Sequence, residues 1–590
     1  MNKKIKVTFW LLFIMFAALI IYLVYFTVVE APTAINSPYN LRLTSRESSI
    51  KRGNIEDENG VVIAESILED EGYTRQYNYP RMYCHITGYT DMGKTGVESA
   101  YNSELLTLHD ETLQKFLYIM TNKVFKKGEF SLTGLNYLLE SPYSLNAFAS
   151  PIGSEPEAAQ ENPGGFENFD VVVSHGGAEA DVEEVSENAD EESAEETSEE
   201  TTESFFEDDS ELGSEIKDIY DNIEVSPAPS LDTLYSDGYE SENDFFAPLI
   251  DGYVLEGNSI VLSVDHRIQE KAYELLNGKN GSIVVSDVNT GMIKAMVSYP
   301  DFDPGQVADN WDYLTTDEEN TPLLNRASQG LYTPGSIFKI GMAQLLIDTN
   351  QADMTFDCSG TNYFGNKTLR CYNETVHGHV GLREAFEQSC NGFFAQAALN
   401  LTADRLITQT NNLGYNSDFD FPLEHSVSVF NLTEDSDNSE LADTGIGQGK
   451  TMVTPLHINM ITSAVANGGV MYTPQIASSV KSYSGSVIKE YEPNEMGRVM
   501  SEETSAELRE LMRAVVTEGT GTPAYSDQIS IAGKTGTAEN GTDNDHIWFT
   551  CFAPYENPKY AVTIMLEYAG KSTKATPIAK ELLEYINTLE

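Results

Sequence analysis

The sequence predicts an α/β protein: an antiparallel sheet covered by helices, standing behind a single N-terminal transmembrane helix and a small pedestal module. Three observations predict it. An apolar run, Val7 to Val29, follows Lys3, Lys4 and Lys6 and is broken only by Thr8 and Thr27. A long acidic stretch then separates two foldable parts, with Lys217 the one Lys or Arg between Lys127 and Arg267. Beyond Gly257, short β-branched runs alternate with segments of helical period.

Each part follows from its residues. A helix of ~23 residues spans ~34 Å, enough to cross a hydrocarbon core of ~30 Å. Secretory apolar segments are shorter, about 7–15 residues, so 7–29 reads as an uncleaved signal anchor. The lysines before it place residues 1–6 in the cytoplasm and the rest of the chain outside the cell membrane. Residues 30–127 read as a pedestal module. Within it, Arg52 to Ala64 is a strand, an Asn-Gly turn and a strand, and Gly96 opens a helix. Residues 128–254 are rich in Asp, Glu, Ser and Gly and cannot bury enough apolar surface to offset their ordering entropy, so they read as a disordered linker. The net charge of −56, from 92 acidic and 36 basic side chains, argues against nucleic acid as a partner.

Residues 255–590 carry the sheet. Ser259–Val264 and Gly281–Ser286 read as strands around a helix at His266–Leu276. Helices are expected from Gly335, over Leu382–Leu401, Thr454–Asn467 and Glu503–Glu518. Ile547–Ala553 and Lys559–Tyr568 read as a hairpin across Pro554 to Pro558, before a closing helix at Pro577–Ile586.

Five cysteines make no disulfide scaffold. Cys358 and Cys371 stand apart, in a loop rich in Gly, Asn and Thr. A disulfide closing that loop, worth ~3 kcal/mol, two free thiols, and a zinc site with His377 and His379 all remain open. Cys84, Cys390 and Cys551 read as small buried apolar groups.

Three short stretches carry the chemistry: Ser336-Ile-Phe-Lys339, Ser389-Cys-Asn391 and Lys534-Thr-Gly-Thr537. Each pattern recurs, so context must select the copies. Pro334-Gly335 sets a turn before Ser336, and the apolar residues after it begin a buried helix. A serine there lies near unpaired backbone N–H groups, with Lys339 on the same face as an activating amine. Ser389 and Asn391 sit in an apolar helical pattern, where polar groups need partners. The other copy, Ser436-Asp-Asn438, lies in a solvated loop composition. Lys534 to Thr537 reads as a strand edge where Gly536 lets a substrate backbone approach. A further stretch, Gly88 to Thr95, matches a phosphate-binding loop, but a turn leading into a helix explains it as well.

Together these residues resemble a class B penicillin-binding protein. The resemblance extends through Arg52-Gly and Asp57-Glu-Asn-Gly60, Asn325-Arg-Ala-Ser-Gln-Gly-Leu-Tyr-Thr-Pro-Gly-Ser336, Gly447-Gln-Gly449, Thr454-Pro-Leu456, Ala466-Asn-Gly-Gly469 and Ile547-Trp-Phe-Thr-Cys-Phe-Ala-Pro554. It covers all but the acidic stretch, which has no counterpart in that pattern. It implies a serine β-lactamase/transpeptidase-like domain and a D,D-transpeptidase acting on peptidoglycan stem peptides. Ser336 would be the nucleophile and Lys339 its base, depressed from ~10.4 by burial and by Lys534. Ser389 would relay the proton and Asn391 hold the donor amide. Lys534, Thr535, Gly536 and Thr537 would bind the substrate carboxylate, and the backbone N–H groups of Ser336 and Thr537 would form the oxyanion hole. The resemblance also implies acylation by β-lactams, a membrane glycan polymerase as partner, and no metal or cofactor. A D,D-carboxypeptidase or β-lactamase using water, and a non-catalytic cell-wall scaffold, are the alternatives.

Overall fold

The computed structural model describes residues 50–69, 72–106, 125–126, 129–130, 256–276, 278–365, 367–541, 544–570 and 574–589. The expected cytoplasmic tail and anchor, and nearly all of the acidic segment, lie outside the described residues. Among the described residues no helix is long and apolar enough to cross a membrane.

The first strands are β1 (Ile55–Glu56), β2 (Val62–Glu69) and β3 (Gly72–Tyr77), followed by helices Pro80–Thr87, Gly96–Ala100 and Asn102–Leu106. The expected strand–turn–strand is present, with Ile55 opposite Ala64. In a separate unit, 115–253, β4 (Phe125–Lys126) pairs with β5 (Glu129–Phe130). The main unit resumes with β6 (Ser259–Leu262), helix His266–Leu276, β7 (Gly281–Asp287) and β8 (Ile293–Tyr299). A small lobe holds β9 (Phe356–Cys358), β10 (Thr361–Phe364), β11 (Lys367–Arg370) and β12 (Gly378–Val380). Then come β13 (Val470–Tyr472), β14 (Ala477–Lys481), β15 (Val487–Glu490), β16 (Glu495–Arg498), β17 (Ala532–Ala538), β18 (His546–Ala553) and β19 (Tyr560–Leu566).

The central sheet runs β17-β18-β19-β7-β8, antiparallel throughout. Strand β18 shows why it forms. Ile547, Phe549, Cys551 and Ala553 enter one core with helices His266–Leu276 and Thr576–Leu589. Trp548 and Phe552 enter the other, with helices Lys339–Asp348, Asn391–Leu401, Pro455–Ala466 and Glu502–Thr517. A strand covered on both faces is apolar at both alternations. The polar residue in its middle, Thr550, is satisfied by Thr462 at 2.6 Å and Thr563 at 2.8 Å.

One strand expected in this sheet belongs elsewhere. β6 joins the pedestal strands in a second sheet, β15-β14-β6-β1-β2-β3, pairing in parallel with β1. Short strands with little pattern of their own are assigned by tertiary pairing, which composition does not reveal. A buried charge cluster holds this module together: Glu98, fully buried, takes Arg52 Nε at 2.5 Å and Arg75 Nε at 2.6 Å. Burial alone would raise the Glu98 carboxyl, but Arg75 and Arg52 hold it below its ordinary value.

The phosphate-loop reading fails on geometry. Gly88–Thr95 follows a helix rather than a strand, and the helix after it has five residues. The N–H of Gly96 donates to Glu424 Oε2 at 3.2 Å, so a carboxylate stands at that helix start.

Candidate active site

Ser336 lies in a 3₁₀ turn, Gly335–Phe338, that leads directly into the helix Lys339–Asp348. The turn is forced by Gly335, whose φ of +54° suits glycine and whose absent Cβ would meet Thr537 O at 2.4 Å. Its N–H donates to Gly447 O at 2.8 Å, which places the Gly-Gln-Gly motif behind the nucleophile turn. Among the described residues the Ser336 hydroxyl, half-buried, makes no hydrogen bond.

The expected helix over 382–401 is broken. It forms as Leu382–Glu387 and Asn391–Leu401, with Ser389 at φ +56° in the break. Local strain of this kind persists where the surroundings over-determine it. Here the break turns both polar side chains toward one point. Lys339 Nζ donates to Ser389 O at 2.9 Å, Ser389 Oγ at 3.2 Å and Asn391 Oδ1 at 2.7 Å. Lys534 Nζ donates to the same Ser389 Oγ at 3.0 Å and to Thr535 O at 3.1 Å. Thus Lys339 joins the first motif to the second, Ser389 joins the second to the third, and Gly335 against Thr537 closes the triangle. The exposed Ser436 copy takes no part; Asp437 there caps the helix Asn438–Gly445.

Both lysines are fully buried, and among the described residues neither has a carboxylate partner within ion-pair distance. Phe394 lies under Lys339 at 5.4 Å and Phe386 under Lys534 at 5.5 Å. Burial lowers the Lys339 ammonium to about 8. Burial, and then the charge of Lys339, hold Lys534 well below the ordinary lysine range. Burial is the first cause at both lysines, as expected for Lys339. Two amines sharing one hydroxyl in a dry site titrate as a pair, and one of them readily gives up a proton near neutral pH.

Gly536 also has a reason within the fold itself. A Cβ there would come within 3.0 Å of Ile337 Cγ2 and Trp548 Cβ and 3.3 Å of Pro334 O. Its smallness lets edge strand β17 lie against the nucleophile turn. Thr535 and Thr537 are half-exposed, and Thr535 Oγ1 lies 2.6 Å from Thr520 Oγ1. Thr520 sits in a Gly-Thr-Gly loop whose composition reads only as a turn, so periodicity gave no signal for it.

Of the three readings left open for Cys358 and Cys371, the disulfide is not formed. Cys358 and Cys371 are thiols with Sγ atoms 3.6 Å apart. Cys390 is buried in the core as expected, its Sγ lies 3.9 Å from Cys371 Sγ, and His377 Nδ1 lies 3.4 Å from Cys358 Sγ. His379 is not among them and pairs at the surface with Asp357. These three sulfurs and one ring nitrogen, all within 4.8 Å of one another, are the group among the described residues whose donors could hold a metal ion. The zinc reading of the sequence named three of these four groups; it included His379 in place of Cys390, which stands at the start of the helix Asn391–Leu401.

What this arrangement can do is acyl transfer. It offers a free serine hydroxyl at a helix start, a desolvated amine one turn on, a hydroxyl bridging two amines, and a strand edge beside them.

Comparisons with known proteins agree. Residues 281–584 match the model of the penicillin binding protein transpeptidase domain, and residues 52–129 match the penicillin binding protein A dimerisation domain. A curated relative from Mycolicibacterium smegmatis, "Peptidoglycan D,D-transpeptidase PbpA", is 31% identical over 56% of this chain and 71% of its own length. "Peptidoglycan D,D-transpeptidase MrdA" of Haemophilus influenzae is 30% identical over 56% of this chain, which spans only 56% of that protein. Among solved structures, the imipenem acyl-enzyme complex of penicillin-binding protein A from M. tuberculosis aligns with a TM-score of 0.64 at 23% identity, covering 92% of this chain and all of that one.

Proposed function

The chain belongs to the penicillin-binding protein transpeptidase family, and from that membership and the three converging motifs we propose that it is a serine D,D-transpeptidase cross-linking peptidoglycan stem peptides. The observation that carries the reading is the sharing of Ser389 Oγ by Lys339 and Lys534.

In the reaction, Ser336 Oγ attacks the carbonyl of the penultimate D-alanine, and its proton passes to neutral Lys339. The N–H groups of Ser336 and Thr537 receive the oxyanion, each such donor worth about 10²–10³ in rate. Ser389 Oγ lies between the two amines, so a proton taken by Lys339 has a hydrogen-bonded route toward the leaving D-alanine nitrogen. Lys534, Thr535 and Thr537 face the substrate carboxylate, and Asn391 holds the donor peptide's amide. D-Alanine departs, leaving an ester on Ser336. An amine from a second stem peptide attacks that ester, returns its proton through Lys339, and forms the cross-link. A β-lactam acylates the same oxygen, and its retained ring fragment blocks the acceptor. Lys339 must first let go of some of its three acceptors to take the Ser336 proton, an ordinary adjustment between a free site and one holding substrate.

We further propose that residues 7–29 anchor the protein in the cell membrane, that the module over 30–127 is a pedestal holding the catalytic domain away from it, and that a membrane glycan polymerase supplies the strands. The apolar run and the dimerisation-domain match support this. The test is product analysis. The full chain is given a stem pentapeptide donor and an amine acceptor, and the products are resolved by mass. Cross-linked dimer with release of D-alanine is expected. Hydrolysed tetrapeptide alone would mean a carboxypeptidase, and unchanged donor a protein without this activity.

A further inference from the structure

A loop outside the three motifs reaches the catalytic centre. It is Glu518-Gly519-Thr520-Gly521, directly after the helix Glu502–Thr517. The Gly519 N–H donates to Ala514 O at 3.1 Å and the Gly521 N–H to Val515 O at 2.9 Å, so the loop folds back over the end of its own helix. Close approach requires both glycines. A Cβ on Gly519 would meet Glu387 O at 2.2 Å, and one on Gly521 would meet Val515 Cγ1 and O at 3.0 Å. Between them Thr520 stands exposed.

Thr520 touches two of the motif-bearing elements. Its N–H donates to Glu387 O at 3.1 Å, and Glu387 ends the helix Leu382–Glu387 that breaks at Ser389. Its Oγ1 lies 2.6 Å from Thr535 Oγ1, on the strand that carries Lys534. Two outer contacts keep the loop in place: Arg383 Nη2 donates to Glu518 Oε1 at 3.0 Å and Gln388 Nε2 to Glu518 O at 3.4 Å. Thr520 thus joins, from the solvent side, the same two elements that Lys534 and Ser389 join from within.

The hydrogen count gives the contact a direction. A threonine hydroxyl has one hydrogen to donate. Thr520 has two acceptors in reach, Thr535 Oγ1 at 2.6 Å and, more weakly, Glu387 O at 3.4 Å. Among the described residues Thr535 Oγ1 has no hydrogen-bond partner besides Thr520. When Thr520 gives its hydrogen to Thr535, the Thr535 hydrogen is left for an incoming anion. A carboxylate can only accept, so its arrival selects that arrangement. A hydroxyl that already accepts a bond is polarised and donates a stronger one.

We propose that Thr520 is a positioning residue that sets selectivity for the substrate's terminal carboxylate. Its hydroxyl holds the Thr535 oxygen and turns the Thr535 hydrogen toward the anion. Thr520 acts through Thr535 and takes no part in proton transfer to or from Ser336. This inference rests on the proposed transpeptidase reading, in which Thr535 faces the carboxylate.

The full chain is acylated with benzylpenicillin, which carries a free carboxylate, and with its methyl ester, which does not. Rate constants are measured for wild type, Thr520→Val, Thr520→Ser, Thr535→Val and the Thr520→Val/Thr535→Val double variant. Thr520→Val keeps the shape and removes the hydroxyl. Its acylation by the acid should fall about tenfold, as for a weakened hydrogen bond to a charged group. Its acylation by the ester should stay within about twofold, because a neutral acceptor gains less from that bond. Thr520→Ser should hold the wild-type ratio of acid to ester. With Thr535 already replaced, removing the Thr520 hydroxyl should change the ratio by less than about twofold, since the two hydroxyls act as one unit. No fall with the acid, an equal fall with acid and ester, a Thr520→Ser chain that loses the ratio, or losses that multiply in the double variant would each overturn the proposal. A wild type acylated by neither compound would refute the Ser336 assignment instead. Thr520 is then decided by calorimetric binding of N-acetyl-D-alanyl-D-alanine and its C-terminal amide to the same variants, where the same loss of preference for the acid is expected and an unchanged preference would overturn it.

Discussion

Replacing Asn391 by Asp tests the electrostatics of the site with one atom. Asn391 Oδ1 lies 2.7 Å from Lys339 Nζ, so the substitution puts a carboxylate against an ammonium that burial holds at about 8. An opposite charge at this range raises an amine by ~1–3 pH units, here taken as about 2. The neutral fraction of Lys339 at pH 7 would then fall from about one in eleven to about one in a thousand. If neutral Lys339 takes the serine proton, acylation at pH 7 falls about a hundredfold, while at pH 10 it falls only about twofold. The assay is the rate of acylation by a fluorescent penicillin between pH 6 and 10.5. Wild type should rise with pH and level off above about 8, and Asn391→Asp should level off about two units higher. Loss of the Asn391 donor to Arg370 O would lower the plateau without moving the inflection. A variant slowed by one factor at every pH would refute the idea that Lys339 acts as a base whose protonation limits the rate.

Three further outcomes are expected. Gly536→Ala places a Cβ 3.0 Å from Ile337 and Trp548, so β17 must shift away from the nucleophile turn; a loss of ~1–3 kcal/mol in thermal unfolding and at least about tenfold slower acylation should appear together. Glu98→Ala leaves Arg52 and Arg75 buried without their anion and should cost about 3–5 kcal/mol, read as early proteolysis of the pedestal strands. Lys339 binds its proton less readily in the fold, at about 8, than in the unfolded chain, near 10.5, so the unfolded state holds the extra proton between them and stability should rise with pH across that window. Lys339→Met should flatten the rise in denaturant titrations.

Much of this was legible in the chain, and the remainder shows what was not. The strands 281–287, 546–553 and 560–566 announce themselves because a sheet covered on both faces requires near-continuous apolar runs. The nucleophile turn is legible because Pro334-Gly335 permits only a few conformations. Strand β6 looked like part of the same sheet, since its partner β1 lies some two hundred residues earlier and only tertiary pairing assigns it. The break at Ser389 was hidden by helix-forming neighbours: a left-handed serine leaves no periodic trace and is held there by contacts to two lysines. Cys390 is buried in the core as expected, but its nearness to Cys371 depends on a strand lobe that the chain's periodicity does not reveal.

The most direct measurement of the central claim is the mass of the full chain after mixing with benzylpenicillin, followed by peptide mapping, on wild type and Ser336→Ala. One penicilloyl group on the peptide that contains Ser336, and none on the variant, is the predicted result. An adduct on another residue, or an equal adduct on Ser336→Ala, would contradict it.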